Sequence, residues 1–161
     1  MRDIILFLLT ATSALLVTAT FPPFDLGILA WLGLAPLLFA LRRKGPLFAA
    51  GLGFMFGSFF GIGAFCWAKS VSEISLPNFM VWLIPFSLYF AVFGLLYKLV
   101  SKTIGSWILF GAPALWVMME YARSNLFFLA WPWNLLGHSQ YHYLPVIQIA
   151  GITGVYGISF L

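Results

Sequence analysis

Glu120 and Arg123 stand three residues apart in an otherwise apolar run. That spacing puts both side chains on one helix face, where they can pair. Each ionised group at a membrane centre costs about 2.5–3.5 kcal/mol on insertion scales, so charge in such a run needs a reason. Two readings stand side by side. The pair marks a working site, or it is a structural salt bridge that pins its helix to the segment that follows.

That segment is dense in aromatic and polar groups: Trp131, Pro132, Trp133 and Asn134, then Gly137, His138, Ser139 and Gln140. Tyr and Trp favour a membrane interface, where ring and polar edge are both satisfied. Gly137-His138-Ser139-Gln140-Tyr141 invites comparison with Gly-x-Ser-x-Gly, a strained turn that exposes a nucleophilic serine. Its final glycine is absent and no strand leads into it. His138 and His142, at i and i+4, could share a metal on a helix. Pro145 follows closely and no third ligand is in view, so no metal or cofactor is expected. Interfacial hydrogen bonding is the reading for Ser139, Gln140 and both histidines.

The elements that must position these groups are membrane helices. The chain of 161 residues is 63% hydrophobic and only 7% charged. Soluble domains carry about 25% charged residues, so this composition predicts an all-α, polytopic membrane bundle. A span needs about 20 apolar residues. Six are expected in a single transmembrane domain, over about 4–20, 26–41, 46–67, 79–100, 106–121 and 144–161. An aromatic loop on the outer face fills about 124–143. A cleaved signal peptide is the rival reading of the first run, but the run is long for the apolar part of one and further spans follow it. Pro22 and Pro23 force a turn before the second, and Asp25 is placed to cap it. Pro36, Pro85 and Pro113 interrupt later spans, but no internal repeat supports a transporter built from repeats.

Gly53, Gly57 and Gly61 recur every four residues in the third span. They form a small-residue face that lets two helix backbones approach closely. A second reading makes that face a groove for a lipid chain, flanked by Phe56, Phe59 and Phe60. Cys66 forbids an internal disulfide and reads as a buried, inert thiol.

The net charge of +4 does not point to nucleic acid, because the basic residues sit between spans and form no single patch. Placing the N-terminus in the cytoplasm puts Arg2, Arg42, Arg43, Lys44, Lys98 and Lys102 inside and only Lys69 and Arg123 outside. That asymmetry follows the positive-inside rule. The turn Phe21–Asp25, the loop Lys69–Asn78 with Glu73, and the aromatic segment then share the outer face. The last span has no flanking anchor after Leu161, which reads as a fragment or a truncated product.

Taken together and in order, several motifs resemble one family. They are FPPFDLGILAWLGLAPLL, GSFFGIGAFCW, Trp116 with Glu120 and Arg123, WPW, LGHSQ and PVIQIAGITGVYGISFL. The chain resembles the N-terminal membrane part of bacterial apolipoprotein N-acyltransferase. Trp131 departs from the Phe expected before Pro-Trp. The resemblance implies acyl transfer from phospholipid to the amino group of the diacylglyceryl-cysteine at a lipoprotein's N-terminus, at the outer face of the inner membrane. It also implies that the catalytic Cys, with Glu and Lys partners, belongs to a nitrilase-like domain beyond this sequence. Cys66 matches no catalytic position, so this chain alone is expected to lack the chemistry. A non-catalytic membrane protein that binds lipid or a partner, or a small transporter, are the alternatives.

Overall fold

The computed structural model describes residues 2–66, 75–126 and 130–161. Among these the regular structure is helical throughout. In order come α1 (Arg2–Thr18), α2 (Ala30–Gly33), α3 (Ala35–Leu41), α4 (Pro46–Ala64), α5 (Leu76–Ile104), α6 (Ile108–Asn125), α7 (Leu144–Ile147) and α8 (Ala150–Phe160). Short 3-10 turns at Gly27–Leu29, Gly105–Trp107 and Leu136–Gln140 connect them. The chain is a helical membrane bundle. By length and apolar composition, α4 and the continuous stretch Pro77–Asn125 can cross a bilayer, while α1, Gly27–Leu41 and α8 are shorter.

Local chemistry sets the helix limits. Pro46 starts α4 in its first turn, where its missing N–H costs nothing. Gly105 ends α5 with φ 56, a conformation that suits glycine. The core is aromatic and lies where α4, α5 and α6 meet. Phe56, Phe60, Phe90, Phe93 and Trp116 are all buried. Ring centroids lie 5.3 Å apart for Phe56–Phe90 and 5.2 Å for the edge-on Phe93–Trp116 pair. Such contacts are worth about 0.5–1.5 kcal/mol each beyond burial.

The glycine face of α4 sits against α5. A Cβ added at Gly53 would lie 2.1 Å from the Phe90 carbonyl oxygen, and one at Gly57 would lie 2.8 Å from Ser87 Cα. One at Gly61 would meet the side chains of Leu83 and Phe86. The face is therefore filled by α5 and leaves no lipid groove. Phe56 and Phe60 belong to the core, and only Phe59 is exposed.

Two ends of the bundle are distinct. At one, Lys44 pairs with Asp3 at 2.6 Å, and Lys98 donates to the Arg42 carbonyl. At the other, the turn around Phe21–Asp25 meets the segment 130–143. Lys69 and Glu73 fall outside the described residues.

Four expectations need correction. The stretch 144–161 is not one helix: α7 and α8 are separate, and Gly154 breaks α8 with φ 67 and ψ −176. The second span is likewise built from the 3-10 turn, α2 and α3. Asp25 caps no helix; it has φ 54 and its carboxylate accepts from the Tyr141 hydroxyl at 2.8 Å. Cys66 is exposed, because α4 ends at Ala64 and the thiol lies beyond its last turn.

Candidate functional site

The site grows from the last two turns of α6. Trp116, Glu120 and Arg123 lie on one face of that helix, turned inward. Glu120 is fully buried and Arg123 is 1% exposed. They make no direct ion pair, which corrects the simplest reading of their spacing. Glu120 Oε1 instead accepts from Trp116 Nε1 at 2.9 Å and from the Leu136 amide at 2.6 Å. Its Oε2 is buried without a hydrogen-bond partner. The Arg123 guanidinium donates to the carbonyls of Trp131 at 3.0 Å, Trp133 at 2.7 Å and Asn134 at 3.3 Å. Its own carbonyl accepts from the Trp131 amide. The two charged groups thus clamp one returning segment from both sides.

A second set of bonds ties that segment to the turn before α2. Gln140 is buried; its Nε2 donates to the Gly27 carbonyl at 2.8 Å and its Oε1 accepts from Trp31 Nε1 at 3.2 Å. Ser139 is buried as well, donating to the Leu136 carbonyl and accepting from Gln140 Nε2. Gly137 donates its amide to Ser159 Oγ at 2.8 Å. A Cβ there would sit 2.6 Å from the Val155 carbonyl oxygen, so only glycine fits against α8. Trp131 packs edge-on to Phe65 at 5.1 Å and beside Trp82 at 5.9 Å. Above this floor opens a cleft of ≈ 410 Å³, lined by Phe21, Pro22, Pro132, Trp133, Asn134, His138 and Tyr141.

The sequence as a whole has counterparts. Residues 13–161 match the family described as the apolipoprotein N-acyltransferase N-terminal domain. The chain belongs to that family. An apolipoprotein N-acyltransferase of Geobacter metallireducens is 38% identical over 96% of this chain and 31% of its own length. That of Coxiella burnetii is 32% identical over 88% of this chain and 31% of its own length. That of Haemophilus ducreyi is 29% identical over 88% and 28%. The chain therefore spans about a third of the length of these relatives.

Within this apolipoprotein N-acyltransferase region, the polar residues divide into two sets. Ser139 and Gln140 are inside the protein, so interfacial hydrogen bonding does not describe them. The Ser139 hydroxyl is occupied by backbone and Gln140, which gives it no base and no role as a nucleophile. Pro132, Trp133 and His138 are exposed at the cleft. Surrounding protein strips part of the hydration from His138, and Arg123 adds positive charge nearby; both hold the imidazole below its ordinary pKa. The spacing of His138 and His142 carries no shared metal geometry, because the 3-10 turn ends at Gln140 and the α-helical i, i+4 register is absent. Among the described residues no three His, Cys, Asp or Glu side chains cluster as metal ligands.

Sequence reasoning left Trp31, Ser159 and the Gly27 carbonyl out of the site. Trp116 had a signal, since it stands four residues before Glu120 on the same helix face. The others join through long-range bonds that no local spacing announces.

Proposed function

We propose that this chain is the membrane module of an apolipoprotein N-acyltransferase. In this reading the whole enzyme moves an acyl chain from phospholipid to the N-terminal diacylglyceryl-cysteine of lipoproteins. A nitrilase-like domain following the module carries the Cys, Glu and Lys chemistry, and residues 1–161 form one transmembrane domain beneath it. The family match over residues 13–161 carries the proposal. The outer loop, about 124–143, is the surface on which that domain or the lipid substrate rests. Glu120 and Arg123 hold it, and Trp131, Pro132, Trp133, Asn134, Gly137, His138, Ser139 and Gln140 form it.

A chimera tests the function. This chain replaces the matching N-terminal region of the Geobacter metallireducens relative, and acyl transfer from phospholipid to a diacylated lipopeptide is measured. Transfer clearly above that of the isolated C-terminal region is expected. A folded, membrane-inserted chimera without transfer would contradict the proposal.

The module is placed in the bacterial inner membrane, with the N-terminus in the cytoplasm and the loop outside, as the basic residues suggest. Ser139 is too buried to report on this, whereas His142 is exposed. After Cys66→Ser, a His142→Cys variant should react with a membrane-impermeant maleimide added from outside the cell. Reaction only from the cytoplasmic side would reverse the orientation.

A further inference from the structure

Between α5 and α6 lies a groove that the outer loop and the glycine face do not use. Its volume is ≈ 410 Å³. The floor is built from buried Phe93 and Met119, and the rim from exposed Leu88, Val92 and Met118. Apart from Tyr89, every side chain along it is hydrocarbon or thioether. On α5 it runs from Pro85 to Leu96, eleven residue steps or roughly 16 Å of helix. On α6 it runs from Leu115 to Leu126, an equal number of steps.

Its depth is informative. The tight turn Gly105–Trp107 joins the two helices at the end that carries Lys102. The groove begins roughly 11 Å above that turn and reaches the level of Arg123 and Leu126, at about 1.5 Å per residue. The hydrocarbon core of a bilayer is about 30 Å thick, so one leaflet is about 15 Å. The groove therefore covers one leaflet's depth, on the Arg123 side. Its apolar lining and its length of about one leaflet match one extended hydrocarbon chain of that leaflet. Left empty, the groove would leave its walls without dispersion partners. Met118 and Met119, flexible and polarizable, suit an occupant of variable shape.

We propose that the α5–α6 groove is a binding site for one hydrocarbon chain of a bilayer lipid from the leaflet on the Arg123 side. The proposal rests on reading the chain as a membrane module. It adds a place for a lipid chain that is separate from the outer cleft. Loop residues and charged groups take no part in the grip, which is shape and apolar contact alone. Lipid headgroup chemistry therefore matters less than chain presence.

The test compares two exposed apolar positions. Met118 is 63% exposed at the groove, and Ile84 is 52% exposed outside its lining. A photoreactive phenylalanine analogue is placed at each in the full chain, reconstituted in vesicles of phosphatidylethanolamine and phosphatidylglycerol. Lipid adducts are counted by mass spectrometry. A held chain should label at Met118 about fivefold more than at Ile84, the ratio expected for about 1 kcal/mol of preference. Val92→Trp, which fills the groove, should bring Met118 down to the Ile84 level with the helical circular dichroism unchanged. If Val92→Trp lowers folded yield, Leu96→Phe serves in its place. Equal labelling at the two positions means ordinary annular lipid and overturns the site. So does crosslinking of Met118 to α5 in place of lipid, or labelling that survives both filling variants. Lipid adducts at neither position would instead overturn the membrane reading itself, and the groove with it.

Discussion

Gly53→Ala is expected to push α4 off α5 and to be among the most destabilising single-methyl additions in this protein. The added Cβ would sit 2.1 Å from the Phe90 carbonyl oxygen and 2.8 Å from its carbonyl carbon. Both are backbone atoms, so no rotamer change relieves the overlap; the helices must separate. Overpacking of this kind costs about 1–3 kcal/mol and sometimes more. Separation would also loosen the rings of Phe56, Phe60 and Phe90 that fill the same contact. Gly51 is the matched control. It lies in the same helix with no atom within 4 Å of its added Cβ. Gly51→Ala should gain up to about 1 kcal/mol from helix propensity alone. Gly57→Ala should fall near Gly53→Ala, since Ser87 Cα is 2.8 Å away, whereas Gly61→Ala meets only side-chain ends that can move. Thermal unfolding in detergent micelles reads the series. Equal stability for Gly53→Ala and Gly51→Ala would mean that α4 and α5 do not touch through this face. Gly105 makes a poor control, because its φ of 56 strains any other residue.

Arg123→Gln is expected to free the loop that follows α6, and to do so more severely than Glu120→Gln. Arg123 bonds three loop carbonyls through its guanidinium, and glutamine can neither reach nor bridge them all. The change also strands the buried Glu120 carboxylate beside the lost cation. Hydrogen bonds from a charged donor are worth about 1.5–3 kcal/mol each, so losing those to the loop carbonyls is the larger cost. Glu120→Gln is milder for a geometric reason. The Trp116 and Leu136 donors converge on a single oxygen, Oε1, and a glutamine carbonyl can accept both. The cation it leaves behind still has its carbonyls. The double variant should fall between the two, since it strands no charge. Unfolding midpoints, together with protease sensitivity of the segment after Asn125, separate the three. Indistinguishable Arg123→Gln and wild-type proteins would show that the clamp carries no weight.

The glycine face was legible because a four-residue period reports directly on a helix side, and only its occupant was open. Period says nothing of what covers a face, and α5 covers it where a lipid was one reading. Glu120 and Arg123 were legible as a shared face. Their partners were not, because the i, i+3 rule sees only the helix itself while the chain returns ten or so residues later. The same limit hid Ser159 beneath Gly137 and Trp31 beside Gln140. Asp25 was misread since a cap and a turn use the same residue type; its bond to Tyr141 crosses 116 residues. Cys66 was misread since apolar neighbours in sequence do not bury a side chain past a helix end. The break at Gly154 was hidden by an apolar composition that continues unbroken through it.

We expect the loop clamped by Glu120 and Arg123 to be a working surface of the proposed enzyme, beyond holding its own fold. Trp133 and His138 are the residues to change, because both are exposed and both line the cleft. In the chimera with the Geobacter metallireducens relative, acyl transfer to a diacylated lipopeptide is measured per folded molecule for Trp133→Ala with His138→Ala. A fall of about tenfold or more, with the unfolding midpoint unchanged, is the predicted result; it corresponds to about 1.4 kcal/mol of lost interaction. Full transfer per folded molecule would contradict the claim and leave the loop a purely structural lid on α6.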